Sequence, residues 1–228
     1  MLLRDSAWFS RRQRQGNGGF GKRRLWFKNS CKDGDRRTMI AELIKGNRSF
    51  RRFFQKEAVA TDTLKGLVNL ARLSASAANL QPLKYLLSND PQKNQAVFSC
   101  LAWAAYLNDW PGPAEGERPA AYIITLHDRE VAKDVWCDHG IAAQSILLGA
   151  REKGLGGCMI GSVQRDKLRE ALKIPDRCEI LLVLALGKPM EKVVLESVKP
   201  GGDIKYWRDA GGVHHVPKRS LDELILEL

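Results

Sequence analysis

DHGIAAQSILLGAREK, residues 138 to 153, is the stretch that most constrains the fold. Its Ala, Leu and Ile side chains cover most of the circumference of a helix, and such a helix is expected to lie at the centre of a domain. Gly154, Gly156 and Gly157 follow it, and glycine takes the left-handed conformation that ends a helix without steric cost. We therefore predict a long buried helix around which the other elements pack.

Strands and shorter helices are predicted on both sides of this helix. Residues 119 to 127 (PAAYIITLH) and 179 to 186 (EILLVLAL) are apolar runs typical of buried strands. Shorter strands are predicted at 83 to 87 and 158 to 161, and amphipathic helices at 61 to 73 and 164 to 172. The order lacks a regular βαβ repeat, which favours an α+β fold over a doubly wound sheet.

The composition is that of a soluble enzyme. The chain has 228 residues, 44% of them hydrophobic and 28% charged, which is enough for one large domain. No run approaches the roughly 18 apolar residues of a membrane helix. The five cysteines are an odd number without zinc-ligand spacing, and they indicate reduced thiols in the cytoplasm. Neither Cys137-Asp138-His139 nor His214-His215 has further ligands nearby in sequence, so we expect no metal site.

The positive charge is concentrated at the N-terminus. Residues 1 to 38 hold eleven Lys and Arg against three Asp, a net charge of +8 out of the chain's +11. This segment has no apolar periodicity, so we predict a disordered extension, with the folded domain spanning residues 39 to 228. Three interpretations of this extension remain open: translated sequence upstream of the true start, an RNA-binding arm, and an organelle-targeting segment. Residues 16 to 21 (GNGGFG) match a dinucleotide fingerprint, but they lack the flanking strand and helix that the fingerprint needs.

Residues 74 to 82, SASAANLQP, join small side chains with two carboxamides between a predicted helix and a predicted strand. Asn79 and Gln81 each offer donors and an acceptor, which suits the edge of a flat heteroaromatic ring. Pro82 bars continuation of the helix. A plain turn explains this segment as well as a ligand site does when it is considered alone.

Two basic clusters have the side chains of a phosphate site. Asn47 to Phe53 (NRSFRRF) places Ser49 among three arginines, and guanidinium groups match phosphate oxygens two at a time. Lys218 and Arg219 follow a Pro-defined turn near the C-terminus. Either cluster alone is more often a solvated surface.

Three aromatic side chains, Trp103, Tyr106 and Trp110, precede a Pro-Gly-Pro sequence in the longest irregular segment. Segments of this kind often form lids or binding loops. Helix-like spacing of aromatic residues is equally typical of ordinary packing. Substrate contact and core packing are therefore both open for these residues.

Six short segments carry a family resemblance when they are taken in order. They are RSFRRF (48 to 53), SASAANLQP (74 to 82), DHGIAAQSILL (138 to 148), GLGGCMIG (154 to 161), GKP (187 to 189) and KRSLDEL (218 to 224). Together they resemble the FMN-dependent nitroreductase family, with its R-R-S-x-R-x-F opening, P-S-x-x-N-x-Q-P loop, D-x-G-x-A-x-Q-x-x-L-L helix and G-L-G-x-x-W-I-G strand. Each motif is weak, but six in register make coincidence improbable. The likeness spans residues 39 to 228.

The resemblance implies a three-layer α/β/α sandwich with a mainly antiparallel central sheet, in an intertwined homodimer whose two subunits share each FMN. It implies these cofactor-binding residues: Arg48, Ser49, Arg51, Ser76, Asn79, Gln81, Gly161, Ser162, Lys218 and Arg219. Met159, beside the flavin, would join Trp103, Tyr106 and Trp110 in a substrate pocket. The segment after Met190 has few strong helix or strand signals before Ser220, and both a wrap around the partner subunit and a flexible tail are open for it. No side chain is required as a nucleophile or general base.

The implied activity is hydride transfer from NADH or NADPH through FMN to a nitroaromatic, quinone or similar small acceptor, with ping-pong kinetics. Two alternatives remain open. One is a related flavoprotein that catalyses reductive dehalogenation or flavin destruction, and the other is a nucleic-acid binder acting through residues 1 to 38. Three departures from the family pattern bear on the site. Asn47 replaces an arginine, Ala75 a proline and Met159 a common tryptophan.

Overall fold

The computed structural model describes residues 33 to 226, which form five α-helices and seven strands in that part of the chain. The helices are α1 (Asp33–Gly46), α2 (Thr61–Leu73), α3 (Pro91–Phe98), α4 (Asp138–Glu152) and α5 (Arg165–Leu172). The strands are β1 (Leu83–Ser88), β2 (Ala121–Asp128), β3 (Gly156–Ile160), β4 (Cys178–Gly187), β5 (Val193–Ser197), β6 (Trp207–Arg208) and β7 (His214–Lys218).

The central sheet has the order β1-β2-β4-β3, and every neighbouring pair in it is antiparallel. The helices α2 and α4 cover one face, where Leu67 and Ile146 pack against Ile123. On the other face, α3 and α5 pack against Tyr122 and Ile124. The α+β class and the mainly antiparallel sheet are therefore confirmed, and the helices form a layer on each side of the sheet.

The central helix α4 is buried as its sequence predicts. Its Ala142, Ala143 and Ile146 side chains have almost no exposed surface. At Gly149 an added Cβ would overlap a methyl group of Leu70 on α2, so a larger residue would require the Leu70 side chain to move.

A second sheet, in the order β5-β7-β6, was not predicted from the sequence. The strand β7 pairs in parallel with β5 and antiparallel with β6. For this segment, which follows Met190, a wrap around a partner subunit stays a prediction. The sheet has a local function, because it fixes His214 and Lys218 at opposite ends of one strand.

The N-terminal prediction falls largely outside the described residues, which exclude 1 to 32. The helix α1 begins at Asp33, six residues before the predicted domain start at Met39. In the part of the chain from 33 to 226, no helix is long and apolar enough to cross a membrane.

Candidate functional site

A cavity of about 310 Å³ lies between the segment after α1, the helix α4 and the strand β7. It is lined by Asn47, Arg48, Ser49, Arg51, Gln144, Leu147, Met159, Tyr206, His214, Val216 and Lys218. Two of its walls carry cations from the two basic clusters, Arg48 and Arg51 from the first and Lys218 from the second, although these clusters are far apart in sequence. All of the formally charged side chains in this lining are cationic, which favours an anionic ligand.

The segment from Arg48 to Arg52 is held by its backbone and by an ion pair between the Arg52 guanidinium and Glu117. Phe50 donates from its N–H to the carbonyl of Gly157 at 3.0 Å, which attaches the segment to β3. The carboxylate of Glu191 accepts hydrogen bonds from the N–H groups of Arg51 and Arg52 and pairs with Arg208 Nη2 at 2.9 Å. The side chains at 48 and 51 are thereby left free to face the cavity.

In the described part of the chain, the Arg48 guanidinium has no anionic partner. Its Nη2 donates to the carbonyl of Ile44 at 2.8 Å, while its buried Nε has no hydrogen-bond partner. Among the described residues no carboxylate lies within ion-pair distance of this guanidinium. Burial without a counter-charge lowers the pKa of Arg48. An anionic ligand would supply the missing partner.

Arg51 is oriented by two aromatic side chains. Its Nη1 lies 3.1 Å from Nε2 of His214, and its Cζ lies 4.7 Å from the centre of the Tyr206 ring. Because arginine can only donate, Nε2 must be the acceptor and the ring proton is on Nδ1. That Nδ1 atom is buried without a partner in the described chain. The residues that line the cavity therefore include one unused imidazole N–H donor and one guanidinium whose Nε has no partner.

Tyr206, His214 and Glu191 are site residues that sequence reasoning missed. His214 and His215 were considered only as metal ligands, and no group of three or more His, Cys, Asp or Glu within residues 33 to 226 is arranged to hold a metal ion. Glu191 carries no local signature, since its partners at 51 and 52 are about 140 positions away.

The loop with the two carboxamides is anchored to the first turn of α4. Ser76 Oγ donates to Asp138 Oδ2 at 2.6 Å, and the N–H of Ala77 donates to Oδ1 of the same carboxylate at 2.9 Å. Asp138 is almost fully buried. Ser76 therefore organises the loop and retains one lone pair for a ligand, because its Oγ also accepts from the N–H of Gln81 at 2.9 Å.

Three non-glycine residues of this loop have left-handed backbones. The φ angles are 48° at Ala78, 55° at Asn79 and 53° at Gln81. Such conformations cost about 1 to 3 kcal/mol each and concentrate at binding sites. Gln81 Nε2 donates to Asn79 Oδ1 at 3.1 Å, so Gln81 braces the exposed Asn79 side chain. The strain favours the ligand-site interpretation over a plain turn.

The loop and the basic clusters do not meet within one chain. Ser74 to Ser76 and Gln81 line a separate cavity of about 230 Å³, which shares no lining residue with the first. Both cavities contact α4, one at Asp138 and the other at Gln144. Six residues of helix correspond to about 9 Å along the axis. Arg48 and Ser76 therefore line two separate cavities that contact the same helix, and Asn79 is in neither lining.

The remaining predicted residues are divided between the cavity and its surroundings. Met159 lines the cavity, and the exposed Gly161 and Ser162 follow it at the end of β3. Arg219 lies outside the lining and pairs with Glu223 at 3.7 Å.

The three predicted pocket aromatics do not line this cavity. Trp103 packs on Phe98, with ring centres 5.9 Å apart, as part of the core near α3. Trp110 lies under the guanidinium of Arg208 at 4.7 Å. Tyr106 is the closest to the site, since its ring is 4.9 Å from Tyr206, which does line the cavity.

The acid stability of the protein is expected to depend on His214. Burial, followed by the charge of Arg51, lowers the pKa of His214 to about 4, so the unfolded chain binds a proton there at a higher pH than the folded chain. We expect the free energy of unfolding to fall by about 1.4 kcal/mol per pH unit from this residue between pH 6.5 and 4, with no such loss above pH 6.5. Urea unfolding across this range should show a shallower fall in His214→Gln.

His215 provides the control, because its pKa is shifted in the opposite direction. Its hydrogen bond to Glu196 at 2.7 Å, together with one to Asp209, raises the pKa of His215. Its contribution is present below the ordinary pKa of histidine and is lost as the pH rises through the raised value. His215→Gln should therefore change the alkaline side of the profile. Identical acid slopes for wild type and His214→Gln would contradict the assignment.

The chain is similar to known proteins in both sequence and fold. The family model described as the nitroreductase family matches residues 44–188, which is more than half of the chain. The chain is 25% identical over 165 residues to the FMN reductase (NADPH) of Bacillus subtilis, covering 65% of each protein. It is 27% identical over 177 residues to the NADPH-flavin oxidoreductase of Vibrio harveyi, covering 70% of this chain and 68% of that protein.

The fold comparison agrees with the sequence comparison. A crystal structure of a nitroreductase family protein from Clostridium novyi NT superposes with a TM-score of 0.54 at 26% identity, covering 65% of this chain and 85% of that one. The matched region of the family model runs from the end of α1 through β4 and so includes the arginine segment, the carboxamide loop and α4. The chain belongs to the nitroreductase family.

Proposed function

We propose that the protein is an FMN-dependent oxidoreductase that transfers a hydride from NADH or NADPH to a nitroaromatic, quinone or similar small acceptor. The observation that carries this proposal is the cavity whose charged lining is wholly cationic and includes an unpaired, buried guanidinium nitrogen. Family membership supplies the class of ligand. The names of the Bacillus subtilis and Vibrio harveyi relatives refer to FMN or flavin and to NADPH.

The donor set fits the phosphate and ribityl portion of FMN. Arg48, Arg51 and Lys218 would neutralise the phosphate, and charge-assisted hydrogen bonds of this kind are roughly twice as strong as neutral ones. The Ser49 hydroxyl and the His214 Nδ1–H offer further donors at the same cavity. Asn47 occupies the first position of the arginine pair that opens the family motif. Arg51 and Lys218 would therefore neutralise more of the phosphate charge.

The flavin ring would lie towards Met159 and the end of β3. FMN, when bound, supplies the capacity to accept a hydride from a nicotinamide and to deliver it to an acceptor. Gly161 and Ser162 would offer backbone N–H groups to charge on the ring, which is how preorganised donors act in enzymes. Met159 is 39% exposed and flexible in shape, so it would leave a wider wall than tryptophan.

A homodimer would complete the site. The cavity of about 310 Å³ is at the lower end of the roughly 300 to 1,000 Å³ typical of ligand pockets, and Asn79 lies outside it. Two groups of large apolar side chains are exposed. One group is near the carboxamide loop and consists of Leu70 and Leu73 on α2 and Ile141 on α4. The other is in the C-terminal segment and consists of Leu221, Leu224, Ile225 and Leu226. We propose that these apolar faces pack against a second copy, so that the Asn79 loop of one subunit contacts the flavin held by the other.

The decisive experiment is the spectrum and activity of the purified protein. We expect a yellow protein with one FMN per chain, the mass of a dimer, and parallel double-reciprocal plots when NADH or NADPH is varied against nitroaromatic and quinone acceptors. Because all the residues proposed to hold FMN lie between positions 39 and 228, a chain beginning at Met39 should give the same result. A colourless protein that takes up no added FMN would overturn the proposal.

A further inference from the structure

A third cavity, of about 240 Å³, lies on the other side of the central sheet from α4. Its walls come from the segment after Phe53, the helix α3 and the start of β2. It shares no lining residue with the proposed flavin site, and its Tyr122 and Phe98 belong to the core layer formed with α3 and α5. This cavity is therefore independent of FMN.

Most polar groups in its walls are bonded to the protein. Asn94 donates to the carbonyl of Ala120 at 2.8 Å and accepts from the hydroxyl of Ser88 at 2.8 Å. Gln95 accepts from Arg118 Nη1 at 2.7 Å. These contacts keep the carboxamides in place and leave few groups with unused hydrogen-bonding capacity.

Two donors at the cavity have no partner in the described chain. The side chain of Tyr122 is fully buried and its hydroxyl is unpaired, and the buried Nε of Arg118 is unpaired as well. Burial raises the pKa of Tyr122, so the phenol stays protonated at neutral pH and can donate. Lys56 adds a second cation, and no Asp or Glu occurs in the lining.

We propose that this cavity binds a small organic carboxylate between Tyr122 and Arg118. The carboxylate accepts hydrogen bonds from the phenol and from Nε of Arg118, and it balances the positive charge of a lining that has no acidic residue. Phe98 and Pro119 provide apolar surface for the body of the ligand. The cavity has the volume of about eight water molecules, which suits an acid with a single ring.

The unpaired hydroxyl of Tyr122 is expected to have opposite effects on the stability of the protein and on ligand binding. A buried donor without a partner destabilises a fold, and replacing it by an apolar group of the same shape is neutral or stabilising. Tyr122→Phe should therefore leave the melting temperature of the ligand-free protein unchanged or higher. The same substitution should weaken ligand binding, because it removes a donor to a charged acceptor. A tyrosine with a purely structural role would not separate these two effects.

The test uses benzoate as the probe, titrated calorimetrically into the purified flavin-containing protein. We expect benzoate to bind to wild type without changing the flavin absorbance, and to bind about tenfold more weakly to Tyr122→Phe. Arg118→Met should weaken binding at least as much, and uncharged benzamide should bind more weakly than benzoate to wild type.

Three results of the binding measurements would overturn the proposal. They are equal benzoate affinity in wild type and Tyr122→Phe, no benzoate binding to either protein, and tighter binding of inorganic phosphate than of benzoate. Binding that perturbs the flavin spectrum and persists in both variants would place benzoate at the flavin site and would also contradict the proposal. The binding outcomes do not depend on the flavin assignment, because the heat of binding is measured whether or not FMN is present and FMN content is read separately from the visible spectrum.

Discussion

Replacing Arg48 or Lys218 by alanine is expected to weaken FMN binding by about tenfold to a hundredfold. Charge-assisted hydrogen bonds contribute about 1.5 to 3 kcal/mol each, and about 1.4 kcal/mol corresponds to a factor of ten in affinity. Neither residue forms an ion pair with a carboxylate in the described part of the chain. Their loss leaves no buried anion without a partner, so the fold should stay intact. Titration of the flavin-free protein with FMN, followed by quenching of flavin fluorescence, measures the effect.

Arg219 is the matched control for this prediction. It is next to Lys218 in sequence but lies outside the cavity, and its guanidinium is paired with Glu223 at 3.7 Å. The family resemblance implies that Arg219 binds FMN, whereas its position outside the cavity favours a smaller contribution to FMN binding. Arg219→Ala should therefore lower FMN affinity less than Lys218→Ala does. Unchanged flavin retention in both Arg48→Ala and Lys218→Ala would remove the basis for this phosphate site.

Glu191→Ala is expected to have the largest effect on stability, a loss of about 3 to 5 kcal/mol in the free energy of unfolding. Its carboxylate is buried and bonds the backbone N–H groups at 51 and 52 together with the Arg208 guanidinium, which is itself only 15% exposed. Removing the carboxylate leaves a buried cation and two N–H groups unpaired. Urea denaturation should show the loss, and FMN affinity should fall as well because the segment bearing Arg48 loses its anchor.

Two further variants define the cause. Glu191→Gln keeps an acceptor for the N–H groups but removes the charge, so its effect should be intermediate. Glu57→Ala removes a pair with Lys188 whose side chains are each about half exposed, and pairs of that kind contribute about 0 to 1 kcal/mol. If Glu57→Ala and Glu191→Ala had the same effect, Glu191 would be no more than another surface charge.

Local pattern was sufficient to predict the central sheet and the helices that cover it. The runs at 119 to 127 and 179 to 186 are apolar enough to be recognised as buried strands, and they form β2 and β4. The second sheet has no such signal. Its β5 is mostly exposed, β6 has only two residues, and β7 contains Pro217, which argues against a strand. Its pairing is long-range, so it depends on tertiary contacts that a local pattern does not contain.

The candidate site was predictable where its side chains belong to recognisable motifs. Arg48, Ser49, Arg51 and Lys218 do line one cavity. Tyr206 and His214 were missed because their roles come from contact with Arg51, which lies more than 150 positions away. The separation of Asn79 from this cavity could not be predicted either, since it depends on where along α4 each segment docks.

Because both segments dock on α4, the number of residues between Asp138 and Gln144 is constrained. Asp138 fixes the carboxamide loop and Gln144 faces the basic cavity, so the offset between the subsites follows from the helical rise. One inserted or deleted residue between them would turn Gln144 by about 100° and shift it by about 1.5 Å, whereas a substitution at an exposed position would leave the offset unchanged. Variation in this stretch should therefore take the form of substitutions, and gaps should occur in the loops outside it.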